Sequence, residues 1–411
     1  MDYRLGELRV VTVHAFLALL GGLLVLAFVA EGAFNRLRIP PVLVLMACGF
    51  LLGPVFKLLP VAAFLEVAPH FGALAFLLIL FEGGLDLHLP EVIHRFSSGA
   101  RLASFGFVMS AFFAAGVGLA FGWPLASAVL FGLVVAPISG AVVLPLAPRL
   151  GLPQGLATVV VLEGALADVF GVLGVSVALQ FFTGGGLAGL LALGSLAAAV
   201  FSVLLALGVG LVWPHALRAL RERSYLDVLT FGVALALWGV VETLGASGAL
   251  AVLAFGLTLA NEREILGLLK LSEEGVLELE ADVTSSLHRF IGQLTFLVRT
   301  FFFVFLGVVV QLHKANWAWF AAALVTMALF VLGRGGILGR FARTGALPME
   351  KADFRTVWML QPRGLVNAVL AMQATHKLGG LDLLPAVSII IVVSNLLVVF
   401  GLRGRPLANS A

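Results

Sequence analysis

The sequence predicts an all-α polytopic membrane protein with about thirteen transmembrane helices. Three observations carry this expectation: an apolar composition, thirteen apolar runs of near-spanning length, and an uneven distribution of Lys and Arg between them. Of the 411 residues, 61% are hydrophobic and 11% are charged. Counting the 47 glycines raises the apolar share to about 72%, whereas soluble domains sit near 45–50%. The 25 basic and 22 acidic side chains cannot clothe that much apolar surface in water. Disordered, collagen-like, disulfide-scaffold and soluble-enzyme classes are excluded on the same grounds.

A helix needs roughly 20 mostly apolar residues to cross a bilayer. The first run, at about 10–33, follows no basic n-region and holds no A-x-A-type cleavage site, so it reads as a retained helix. Arg36 and Arg38 separate it from about 40–58, which contains the single cysteine, Cys48, expected to be a packing residue. Lys57 closes that run before 67–87, and Arg95 and Arg101 precede 101–122. Runs at 124–147 and 155–182 flank Arg149; 186–213 is followed by Arg218, Arg221 and Arg223. Next come 226–243 and a short run at 247–261, which crosses only where neighbours thin the bilayer. Arg263, Lys270 and Arg289 lie around the approach to 288–311, and Lys314 divides that run from 317–338. Arg340, Arg343, Lys351 and Arg355 lead into 355–375, Lys377 precedes 383–402, and Arg403 and Arg405 follow it.

With the N-terminus outside, the inside loops hold seventeen of the 25 Lys and Arg residues and the outside segments hold five. Three more, Arg299, Arg334 and Arg363, fall within runs. This asymmetry obeys the positive-inside rule and places the C-terminus in the cytoplasm. It also accounts for a basic pI by contact with anionic lipid, with no nucleic acid involved. The stretch 262–287, with Glu273, Glu274, Glu278, Glu280 and Asp282, reads as a solvated connector or surface helix. No soluble domain and no regulatory tail are expected.

Ionisable residues inside a span are expensive and mark function or a buried pair. Here they are Glu82, Glu163, Asp168, Arg299, Arg334 and Arg363. Glu31 and Glu242 lie near run ends and can reach the interface. Glu163 and Asp168 are five residues apart, so they point about 140° away from each other around one helix. They do not form a dyad, and each needs a partner elsewhere. Arg363 is the expected counter-charge for one of them.

Two runs carry helix-breaking residues at their centres. One has Pro137, Ser139 and Gly140; the other has Pro362, Arg363 and Gly364. Proline and glycine there free backbone groups that must be satisfied again. Interrupted segments at corresponding positions of two halves point to a transporter binding site. These are the fifth and twelfth runs, seven apart. Residues 1–185 then form a first six-helix repeat, 186–213 a linker helix, and 214–411 a second repeat of inverted topology. The eight histidines show no metal spacing, and no P-loop, dinucleotide fingerprint or nucleophile elbow is present. The protein is thus not expected to be an enzyme or to hold a cofactor.

Five stretches, in order, resemble one family. Leu80-Phe81-Glu82-Gly83-Gly84-Leu85 resembles its third-helix motif, and Glu163 to Asp168 its sixth-helix pair of acids at the same spacing. Gly248 to Asn261, Phe302 to Gly307, and Pro362-Arg363-Gly364 are similar to its ninth, tenth and broken twelfth helices. The family is the monovalent cation:proton antiporter superfamily, in its sodium/proton-exchanger, NhaP-like branch. The resemblance implies crossed, unwound helices in a core domain beside a dimerisation domain, and hence a homodimer. It implies Asp168 as the ion- and proton-binding carboxylate, Glu163 with Arg363 as a structural core pair, and Glu82 and Arg334 as accessory residues. The sequence departs from the family pattern at three places. Ile138-Ser139-Gly140 stands where the family has Thr-Asp-Pro, Ala167 where it has Asn, and Gly164 where it has Ser. Ser139 then replaces a carboxylate as an ion ligand, beside freed backbone carbonyls.

The function expected from this resemblance is exchange of Na⁺ or K⁺ for H⁺ across a bacterial inner membrane, with Asp168 binding cation and proton in turn. Two alternatives come from other classes. In one, the altered site carries an anion or organic solute on Arg363 and helix dipoles. In the other, the chain is a non-transporting sensor.

Overall fold

The computed structural model describes residues 13–37, 41–59, 61–183, 188–220, 224–268, 281–309, 317–347, 349–378 and 382–402. Among them the chain forms sixteen α-helices and no strand. In order these are α1 (Val13–Leu37), α2 (Pro41–Phe50), α3 (Val61–Asp86), α4 (Leu89–Ala120), α5 (Leu125–Val135), α6 (Gly140–Leu146), α7 (Gln154–Thr183) and α8 (Ala188–Ala219). They continue with α9 (Leu226–Thr243), α10 (Gly248–Ala260), α11 (Glu262–Leu268), α12 (Ala281–Val309), α13 (Trp317–Arg343), α14 (Lys351–Met359), α15 (Leu365–Leu378) and α16 (Leu384–Leu402). A π-helical turn at Leu51–Val55, containing Pro54, extends α2.

All thirteen apolar runs contain helix, but two of them are split. α5 and α6 share one run, and α14 and α15 share another. The short α11 is the sixteenth helix. Among the described residues, seven helices are long and apolar enough to cross a membrane by length and composition: α4, α7, α8, α9, α12, α13 and α16. Among the described residues, the apolar helical stretches Pro41–Val55, Leu125–Val135 and Gly248–Ala260 fall below that length.

Packing sorts the helices into two groups. In one, α10 packs on α3, α8 and α9, and α12 packs on α2, α3 and α9, with α1 against α2. In the other, α4 packs on α5, α7 and α13, α7 on α6 and α15, and α16 on α13, α14 and α15. Small residues allow the closest approaches in the first group. A Cβ at Gly256 would lie 2.6 Å from the Phe81 carbonyl of α3, and one at Gly49 would enter the Val304 carbonyl of α12. Without a hydrophobic force between helices in lipid, such backbone approach supplies the dispersion contacts that hold them.

Polar residues close the helix ends. Asn261, at the end of α10, accepts the Leu89 N–H that opens α4, at 2.7 Å, and donates to the Leu87 carbonyl at 2.7 Å. Glu242 accepts the Gly248 N–H at 2.8 Å, so this end-of-helix acid caps α10. Glu31 accepts from Arg149 at 2.7 Å and lies 3.7 Å from Arg299, tying α1 to the turn after α6 and to α12. The hydrophilic stretch is not wholly solvated. Glu262 at its start is buried against Arg218, with contacts of 2.8 and 3.0 Å. Glu273, Glu274, Glu278 and Glu280 lie outside the described residues, as do Arg38, Arg221, Arg223, Lys270, Lys314, Arg403 and Arg405.

Candidate functional site

The two split helices meet at their breaks. α5 ends at Val135, residues 136–139 are unwound, and α6 starts at Gly140; α14 ends at Met359, residues 360–364 are unwound, and α15 starts at Leu365. Pro137 and Pro362 lie in the unwound segments, where a missing N–H costs nothing to a helix ladder. The breaks bond to each other directly, with the Ser139 N–H donating to the Pro362 carbonyl at 2.8 Å.

The carbonyls of Val134, Val135, Ala136 and Pro137 each have a donor from the other broken helix. Arg363 donates from Nε to Val135 at 2.9 Å, from one terminal nitrogen to Ala136 at 3.3 Å, and from the other to Gln361 at 2.8 Å. Its guanidinium also lies 4.8 Å above the Phe330 ring. A cation here suits the negative end of α5. Asn367 donates to the carbonyls of Val134 and Pro137, at 2.9 and 3.1 Å, and accepts the Gly364 N–H at 2.7 Å. α16 holds the Arg363 backbone: Ser394 Oγ accepts its N–H at 2.9 Å and Asn395 donates to its carbonyl at 2.7 Å.

Asp168 reaches this junction from the middle of α7. It is fully buried, and its Oδ2 accepts the Gly140 N–H at 2.9 Å. Among the described residues its Oδ1 has no hydrogen-bond partner, and neither has the fully buried Ser139 Oγ. Gly140 is required for this approach, since a Cβ there would lie 2.8 Å from Asp168 Oδ2. Gly364 is packed as closely on the other side, where a Cβ would lie 2.8 Å from Ser139 Oγ. The helix break thus holds a carboxylate oxygen and a hydroxyl, both oxygen ligands suited to a hard cation.

Glu163 does not pair with Arg363. Its carboxylate takes a bidentate bond from Arg334 of α13, at 2.5 and 2.8 Å, and Arg334 Nε also donates to Val357 near the end of α14 at 3.0 Å. The reason is packing: α4 lies against both α7 and α13, which sets Glu163 opposite Arg334, while the Arg363 guanidinium turns to the carbonyls of α5. Glu82 stands apart, on α3 against α12. Its carboxylate lies near Gly292, Thr295 and Arg299, one turn from Asp86, which pairs with His288 at 2.8 Å. Asn367, Ser394 and Asn395 had no signal in the sequence, because a lone Asn or Ser in an apolar run reads as a packing residue until its partner helix is placed.

An all-helical membrane bundle whose two interrupted helices meet at a buried carboxylate defines a secondary transporter. A family model described as sodium/hydrogen exchanger, transmembrane, matches residues 23–409. The chain belongs to the sodium/hydrogen exchanger family. The fold is similar to that of the sodium proton antiporter MjNhaP1 from Methanocaldococcus jannaschii at pH 8, with 20% identity, a TM-score of 0.75, and coverage of 93% of this chain and 98% of that one. An electron-microscopy map of the same antiporter matches with 20% identity, a TM-score of 0.72, and coverage of 95% and 94%. No curated protein matches the sequence.

Proposed function

We propose that this protein exchanges a monovalent cation, Na⁺ or K⁺, for a proton, with Asp168 binding each in turn. The observation that carries this reading is the unpartnered Asp168 Oδ1, fully buried beside the unpartnered Ser139 Oγ at the α5–α6 break. A carboxylate left so in a membrane interior needs a cation or a proton to neutralise it. Ion and proton compete for one oxygen, so one leaves as the other binds. The cation is held by Asp168, Ser139 and break carbonyls. Among the described residues no donor reaches the Ile138 carbonyl, while its neighbours Val135, Ala136 and Pro137 are all engaged.

Charge counting supports one-for-one exchange. Glu163 and Arg334 cancel, so the core charge depends on Asp168 alone beside the fixed Arg363. Asp168 with a proton and Asp168 with a monovalent ion carry the same charge, so the two loaded states are electrically alike. The helices around α4, α7 and α15 move as the transporting body against those around α3, α10 and α12. We read the N-terminus as outside, the C-terminus as cytoplasmic, the two halves as inverted repeats, and the protein as a homodimer of the cell membrane. The anion-carrying alternative finds less support, because the Arg363 guanidinium is committed to three carbonyls and a ring face.

The test is a proteoliposome assay in which an imposed pH gradient is challenged with Na⁺, K⁺ and Li⁺ in turn. Wild type should dissipate the gradient in response to at least one ion, independently of membrane potential. Folded Asp168→Asn should not. Wild-type flux from that variant would overturn the mechanism.

A further inference from the structure

Asn367 lies at the third position of α15, fully buried, and makes three hydrogen bonds with one side chain. Its Oδ1 reaches back to the Gly364 N–H at 2.7 Å, as a capping-box side chain does at a helix start. Its Nδ2 carries two hydrogens, and both go to the other broken helix, one to Val134 and one to Pro137. One amide therefore clips the start of α15 to the last turn of α5 and to the unwound segment after it.

Arg363 takes Val135 and Ala136, so the two side chains divide the four carbonyls from 134 to 137 between them. Arg363 also makes a third bond within its own break, to Gln361. Asn367 is the neutral member of this pair. It fixes the backbone immediately before Ile138 and Ser139 without adding a charge to the site.

We propose that Asn367 is a positioning residue for the transported cation. It sets which carbonyls of the α5–α6 break stay occupied by protein donors, and so which oxygens, at what spacing, are left for the ion. The inference rests on the ion site proposed at Asp168. Loss of the amide frees the Pro137 carbonyl and loosens the unwound segment. A looser ring of oxygens grips a small ion less tightly and discriminates less between ions of different radius. Groups behind direct ligands typically change ion affinity about 10- to 100-fold when removed.

The experiment uses the full-length protein in proteoliposomes. Apparent KM and maximal rate are measured for Na⁺, Li⁺ and K⁺ in wild type, Asn367→Ala and Asn367→Gln, with the amount of folded protein set by size-exclusion chromatography. Asn367→Ala should raise KM for the preferred ion roughly 10-fold or more and compress the ranking of the three ions. Asn367→Gln, which keeps the amide on a longer arm, should recover part of both. A merely structural role would lower the maximal rate with the folded fraction and leave KM and ranking at wild-type values; that result overturns the proposal. If Asn367→Ala gives no folded protein, Asn367→Ser, which retains one donor, carries the same test and the same two outcomes. Asp168→Asn is run alongside. Exchange persisting there refutes the underlying site, whereas a dead Asp168→Asn with wild-type KM and ranking in the Asn367 variants refutes this inference alone.

Discussion

The helix that follows the α14–α15 break is capped by one of its own side chains, whereas the helix that follows the α5–α6 break is capped by a side chain from another helix. At the start of α15, Asn367 caps the Gly364 N–H from within the same helix. At the start of α6, Ser139 occupies the usual capping position, yet its hydroxyl makes no cap bond. The Gly140 N–H is instead taken by Asp168, a titratable group on α7. The ends of the preceding half-helices differ as well. α5 is sealed by Arg363 from the opposite break, and α14 by Arg334, which is already paired to Glu163. Side chains at the second break donate to the carbonyls of the first, and its own Gly364 N–H is capped without a titratable group. The first is left with a carboxylate oxygen and a hydroxyl unpartnered. Structure and binding chemistry are separated between two backbones of similar shape.

The separation is broken most severely at Arg363. Arg363→Ala leaves the carbonyls of Val135, Ala136 and Gln361 without their donor, each buried orphan costing about 1–3 kcal/mol. Purified protein should show a collapsed thermal midpoint or no folded peak. Arg363→Lys should rescue little, since a point charge cannot match three spread acceptors.

Glu163→Ala should follow, at about 3–5 kcal/mol, because it strands Arg334 in the interior. Replacing Glu163 and Arg334 together with apolar residues should restore much of that loss. In double-mutant cycles of thermal stability, Glu163 should couple more strongly to Arg334 than to Arg363. The reverse order would contradict the pairing.

Gly140→Ala acts on the binding side. Its methyl group would press on Asp168 Oδ2, and apparent cation affinity in a flux assay should fall roughly 10-fold or more. Gly364→Ala would press on the rotatable Ser139 hydroxyl, with Ser139 Cβ and Val142 further off at 3.3 and 3.5 Å, and should lose less. Equal losses would erase the distinction between the two breaks.

The smallest effect on stability is expected at Ser139. Ser139→Ala removes a buried hydroxyl that has no partner, so unfolding should shift by about 0.5 kcal/mol or less in either direction. Its apparent cation affinity should nevertheless fall. Ser139→Asp should raise affinity or move its pH dependence through like-charge coupling with Asp168. Superimposable affinity curves for the three proteins would remove Ser139 from the site.

Much of this molecule follows from the order of its residues. Apolar runs of spanning length force helices, because no other open structure satisfies the backbone in lipid. Pro137, Gly140, Pro362 and Gly364 mark where two of those helices come apart, since proline and glycine act locally. Asp168 stands out because a carboxylate in the middle of an apolar run is costly wherever it packs. Partner choice is not local. Three arginines, Arg299, Arg334 and Arg363, lie in spans and each is long enough to reach a carboxylate, so one-dimensional order leaves Glu163 undecided. The packing of α4 against α7 and α13 settles it, by setting Arg334 opposite Glu163 and leaving Arg363 to the carbonyls of α5. Asn367 is decided the same way. Its amide has meaning only once a second broken backbone, more than 200 residues earlier in the chain, presents two carbonyls within reach.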